Sequence, residues 1–312
     1  MPTEHILQGL EPDNLLAFLA LLGFHRALDH AEPTWRARTY WAGVPLRPRL
    51  VVSNDLTREE ILDAAALGCA ALAEPHSFAG KKDINFDKLE ARQQLKEACE
   101  ADPESGRLRM DLLSALMSDA ALQGDRVRAT PFCAMFGQGH QHFLERLERV
   151  PKGLPPKELE KEITAEDLNS PSKLEQALFQ RWERSDRTES FRWDPAEDRR
   201  YALRFKDPSG DKGLTVHGAN RLASLALPLL TAIPKWERGE VRLRALGTNW
   251  DSNGLHVLWP VWSQPASLKS VVRMVAGCGL SRPFPGLGII AIYRSERVSV
   301  GKYFNFTRGV PS

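Results

Sequence analysis

Residues 241–262 read VRLRALGTNWDSNGLHVLWPVW, and this stretch decides the fold class. Val241, Leu243 and Ala245 alternate with Arg242 and Arg244, the period of two that marks a strand, and the alternation sets both arginines on one sheet face. His256–Trp262 is strand-like as well, and so is the later segment Ile289–Val300. Ser267–Ala276 between them reads as a short helix, and Ala219–Leu230 upstream as a buried one. No parallel alternation of strand and helix runs through this region, so a mixed, antiparallel part is expected.

The first part differs in character. Asp13 stands as an N-cap candidate before Leu15, Leu16, Phe18, Leu19, Leu21 and Leu22, a largely buried helix to about Leu28. Trp35–Trp41 and Pro45–Ser53 are short strand-like runs suited to a hairpin. Thr57 and Glu60 form a capping box ahead of a helix to about Ala73. Further helices are predicted over about 87–101, 107–122, 140–147 and 173–184, with a turn-rich stretch at 124–139. The expected fold is therefore α+β: a mostly helical, acidic part over 1–150 with a short hairpin, a polar linker or excursion over 151–172, and a basic part of antiparallel sheet and helix over 173–312.

The net charge of +2 conceals an asymmetry. Residues 1–180 hold 21 Lys and Arg against 28 Asp and Glu, a net −7; residues 181–312 hold 21 against 12, a net +9, and 16 of those 21 cations are Arg. Guanidinium groups grip phosphate with two parallel bonds and stack on bases, so the bias favours a polyanion partner. Arginine enrichment by genome composition is the plainer alternative.

The four cysteines, Cys69, Cys99, Cys133 and Cys278, are scattered, which indicates neither a zinc ribbon nor a redox dithiol. No signal peptide and no bilayer-length apolar run is read, so a cytoplasmic protein without membrane contact is expected.

The strongest functional signal is Phe191–Ala223, FRWDPAEDRRYALRFKDPSGDKGLTVHGANRLA, with a strand expected at Ala202–Phe205. It interleaves Arg192, Arg199, Arg200, Arg204, Lys206, Lys212 and Arg221 with Trp193, Tyr201 and Phe205, a composition suited to a phosphate backbone and stacked bases. Arg199, Arg200, Lys212 and Arg221 are the phosphate-contact candidates, Trp193 the stacking candidate, and Asn220 with Gln141 the polar contacts. His217–Arg221 opens a helix whose outward amides suit an anion, although Asn220 as a cap and Arg221 as the ion-pair partner of Asp194 or Asp198 serve equally well. Gly80–Asp83 brings Lys81 and Lys82 to a loop that suits a phosphate or a solvated turn. His140 and His142 lack a carboxylate or cysteine at metal-binding spacing. Asp194, Glu197 and Asp198, with His140, form the alternative reading of a metal-dependent nuclease; ion pairing of these acids with Arg192, Arg199 and Arg200 is the simpler account. A P-loop, a Rossmann glycine fingerprint and a serine hydrolase elbow are all missing, and no cofactor is expected.

Three blocks resemble one known group. Gly9–Gly23, GLEPDNLLAFLALLG, resembles the opening of large-subunit-type proteins of type I CRISPR effectors (Cascade), subtype I-G, formerly I-U. Thr130–Phe132 through His140–Leu144, and Arg192–Pro195 through Asn220–Ala223, are similar to proteins of the same neighbourhood. The resemblance implies a subunit without enzyme activity of its own in an RNA-guided surveillance complex, near the 5′ region of the guide RNA. Such a subunit inspects the motif flanking the target DNA, helps open the duplex, and works beside other effector subunits and a helicase-nuclease recruited in trans. Guide pairing then reads sequence while protein reads the flanking motif and backbone.

Overall fold

The computed structural model describes residues 3–134, 142–197, 213–237, 239–252, 254–279, 286, 288–300 and 303–312. Strand β1 (Thr3–Ile6) precedes helix α1 (Leu15–Ala31), whose cap is Asn14 rather than the expected Asp13: the Asn14 side chain accepts from the amide of Ala17. Strands β2 (Arg38–Ala42) and β3 (Arg47–Val52) form the predicted hairpin, and β1 joins β3 antiparallel to complete a sheet in the order β1-β3-β2. Helix α2 (Arg58–Ala73) starts on the predicted box, with both Thr57–Glu60 reciprocal bonds made.

Helices α3 (Lys88–Glu100) and α4 (Pro103–Leu116) start on the caps Asp87 and Asp102. α4 begins before the expected residue 107, because proline is at ease in the first helical turn, where its missing N–H is no loss. The same rule moves the helix expected at 173–184 to α7 (Pro171–Phe179), capped by Ser170. Between them come a minimal hairpin, β4 (Leu122–Gln123) with β5 (Arg126–Val127), then α5 (Phe143–Arg149) and α6 (Ala165–Asn169). The polar stretch 151–172 is an excursion that packs back on the body: Leu159 and Leu168 are buried, and Thr164 caps α6.

The second part begins with α8 (His217–Ala226), extended by a 3₁₀ turn over Leu227–Leu229. Strands β6 (Ala232–Glu237) and β7 (Glu240–Ala245) pair as a hairpin, in which Arg242 faces Lys235 and Arg244 faces Ile233, so the two arginines do share a face. β8 (Thr248–Asp251), β9 (Gly254–Trp262), β10 (Ile289–Val300) and β11 (Tyr303–Phe306) follow one another across an antiparallel sheet, with β12 (Val310–Pro311) also on β10; α9 (Leu268–Gly277) links β9 to β10. The strand expected at Ala202–Phe205 lies outside the described residues.

One connected core runs through both parts. Every residue of α1 from Leu15 to Leu28 is buried. α8 and α2 lie against it so closely that a Cβ at Gly23 would sit 1.8 Å from the Leu222 carbonyl oxygen, and one at Gly68 would sit 2.1 Å from that of Ala27. The sheets are tied to this helical layer through tryptophans. Trp259 stacks on Phe18 with centroids 5.9 Å apart and donates to the Pro12 carbonyl; Trp262 meets Trp41 edge-on and donates to Thr39. Among the described residues no helix is long and apolar enough to cross a membrane.

Candidate nucleic-acid interface

Trp193, Asn220 and Arg221, singled out in 191–223, are interior, and Arg192 is half-buried. Trp193 is fully buried, stacks on Phe191 at 4.5 Å and 17°, and donates its indole N–H to the Phe132 carbonyl at 2.9 Å. It anchors the core and offers no face to a base, which corrects the stacking role. Asn220 is also fully buried: its amide donates to Thr215 Oγ1 and the Val216 carbonyl and accepts from the Phe191 amide. Arg221 is 2% exposed and donates to the Pro151 carbonyl, and burial lowers its pKa. The α8 N-terminus already holds an anion, since Asp186 accepts from the His217 amide at 2.8 Å. Neither Asn220 nor Arg221 reaches a phosphate in this fold, because all ten residues of α8 are buried. Arg199, Arg200, Lys212 and Gln141, together with His140 and Asp198, lie outside the described residues.

Two acids of the nuclease alternative, Asp194 and Glu197, are internal struts. Asp194 accepts from Asn14 Nδ2, from Arg184 Nε at 2.8 Å and from the Ala196 amide, so its described guanidinium partner is Arg184. Glu197 accepts from the hydroxyls of Ser190 and Thr215; burial raises its pKa, and the Asp194 charge raises it further. The basic loop before α3 is committed as well. Lys81 pairs with Glu90 and lies over the Phe86 ring, and Lys82 pairs with Glu145, which also holds His142 at 2.8 Å.

An arginine–aromatic surface does exist, elsewhere. A cleft of about 490 Å³ opens between the β4–β5 region of the first part and strands β7, β8, β10 and β11 of the second. Arg126, Arg128, Arg242 and Arg297 line it, against the acids Asp125 and Glu240, and Trp250 and Phe304 supply the aromatic wall. The Arg242 guanidinium lies 5.0 Å from the Trp250 ring centroid; that of Arg297 lies 5.3 Å from Trp250 and 4.5 Å from Phe304. Burial pushes the Arg297 pKa down to about 10, which still leaves it charged at neutral pH. Arg126 is exposed, its guanidinium on the Asn85 carbonyl. The indole nitrogen of Trp250 is buried with no hydrogen-bond partner among the described residues.

Of this set the sequence pointed only to Arg242. Its strand alternation was readable, whereas Arg126 and Arg128 sit in a turn-rich stretch without a period. Trp250 and Arg297 become neighbours only through the pairing of β8, β9 and β10. Chemically, the cleft offers planar cations stacked on rings, with Arg126 and Arg128 beside them, the group types that can meet phosphates and bases. Among the described residues no group of three or more metal-ligating side chains converges. No protein-family model matches the chain, and no curated protein matches it.

Proposed function

We propose that this chain is a nucleic-acid-binding subunit without catalytic activity, working in the cytoplasm in a type I CRISPR RNA-guided surveillance complex. In that role it contacts the guide RNA 5′ region and the flanking motif and backbone of target DNA, among other effector subunits. A helicase-nuclease recruited in trans then does the cutting. The observation that carries nucleic-acid binding is the cleft, where Arg242 and Arg297 lie against Trp250 and Phe304 with Arg126 and Arg128 beside them. The CRISPR context rests on the resemblance of the three sequence blocks alone.

The test is titration of a labelled twelve-nucleotide RNA and its DNA counterpart at several salt concentrations. Arg126→Ala combined with Arg242→Ala should weaken binding by about tenfold or more and lower the salt slope by roughly 0.7 for each phosphate that is no longer neutralised. Unchanged affinity and slope would remove the cleft from the interface. Cleavage of either strand by the purified chain with Mg²⁺ would overturn the absence of catalysis.

A further inference from the structure

Glu240 occupies an unusual place in this cleft. It opens β7, and its two carboxylate oxygens serve different arginines: Oε2 takes the Arg128 guanidinium, while Oε1 takes Arg242 Nε at 2.9 Å and Nη2 at 2.8 Å. Arg128 and Glu240 are 112 residues apart in sequence, so this one carboxylate bridges the two walls. The bridge is accessible to solvent: the side chains of Arg128, Glu240 and Arg242 are 24%, 38% and 23% exposed. The arginines are part-buried, and Glu240 is the most open of the three, so it is at the carboxylate that another anion can reach the bridge and exchange for it. A phosphodiester carries the same geminal pair of oxygens, with the same single charge, that a carboxylate offers to two forks.

We propose that the cleft takes one unpaired nucleotide of a single strand, with its phosphate on Arg128 and Arg242 in the place that the Glu240 carboxylate now fills. Glu240 is then a built-in competitor that sets the affinity of the site. The inference rests on the nucleic-acid reading above. The base goes against the aromatic wall of Trp250 and Phe304. The volume of about 490 Å³ is that of a small-molecule pocket, sized for a nucleotide rather than for a duplex. Arg126, exposed at the cleft, is left for an adjoining phosphate, while Arg297 stays against the rings.

The experiment compares wild-type protein, Glu240→Gln and Glu240→Asp with four probes: a twelve-nucleotide single-stranded RNA, the same RNA as a duplex, and free UMP and AMP. Wild type should favour the single strand over the duplex and over either mononucleotide. Glu240→Gln frees both arginines without changing shape and should tighten single-strand binding by about three- to tenfold; Glu240→Asp keeps the charge and should not. Single-strand affinity that is equal or weaker in Glu240→Gln, with wild-type binding intact, overturns the competitor role and leaves the parent reading standing. Preference for the duplex, or mononucleotide binding as tight as the strand, overturns the single-strand assignment. If Arg126→Ala with Arg242→Ala changes nothing while the wild type binds, the cleft leaves the interface and this proposal fails while nucleic-acid binding stands; a wild type that binds none of the probes overturns the parent reading.

Discussion

Asp194 shows how residue chemistry and residue position diverge. In sequence it stands beside two further acids and among arginines, the company that a metal ligand keeps. In the fold it has no exposed surface, and it joins the cap of α1 to the Arg184 guanidinium and to the turn at Ala196. Asp194→Asn keeps the volume and removes the charge, so Arg184, only 26% exposed, loses its ionic partner. The expected cost is about 2–4 kcal/mol of stability, read as a lower urea midpoint. A midpoint equal to wild type would mean that the Asp194 carboxylate is not a strut. Trp193 makes the same point for an aromatic: flanked by Arg192 it reads as a stacking platform, yet its N–H is spent on Phe132 inside the core. Neighbours in sequence do not say which way a side chain faces, and only burial decides it.

At the scale of elements, the helical layer depends on backbone closeness. Gly23 lets α8 approach α1, and Gly68 lets α1 approach α2. Gly23→Ala drives a methyl into the Leu222 carbonyl, which packed helices can relieve only by separating. The predicted loss is about 3 kcal/mol, at the upper end for overpacking, measured as the drop in unfolding free energy. An alanine variant as stable as wild type would show that the α1–α8 contact is loose. These elements were legible in unequal degree. α1 announced itself by a continuous apolar run, α2 by its capping box, β7 by alternation, and β9 and β10 as strand-like runs. β1 and β6 gave no such signal: β1 is short and lies at a sheet edge, while β6 carries Pro234, a residue that sheets accept only at edges and bulges. The cleft was the least legible feature, because its walls come from elements whose adjacency is set by tertiary packing.

The whole molecule carries a pH dependence that its near-neutral net charge does not foretell. Burial pushes His25 down to about 4 and His76 and His217 down to about 3, from an ordinary 6.5. Each is held neutral in the native state and protonates freely once unfolded. Their contribution is therefore complete above pH of about 6.5 and is lost as the pH falls from there toward 4, at roughly 1.4 kcal/mol per unit for each. Asp29, raised to about 6 by burial, and Glu197, also raised, act in the opposite sense: their stabilising share is present at low pH and fades as the pH rises through their folded pKa values. Burial also lowers His5, in the sense of the other histidines, and raises Glu189, in the sense of the two acids; four histidines against three acids leave a net loss on acidification. The urea midpoint should fall between pH 7 and pH 5; a flat or rising midpoint would contradict the buried-neutral assignment of the histidines.

The cleft draws Asn85 and Arg126 from the first half of the chain and Trp250, Arg297 and Phe304 from its last quarter. During synthesis the early wall therefore emerges long before the late one. A nascent or prematurely terminated chain that stops short of Trp250 carries the arginines of the early wall without the rings of the late one, and one that stops short of Glu240 leaves Arg128 without the carboxylate that pairs with it in the fold. The cleft is thus a feature that exists only once the segment through Phe304 has been made and has folded back on the β4–β5 region.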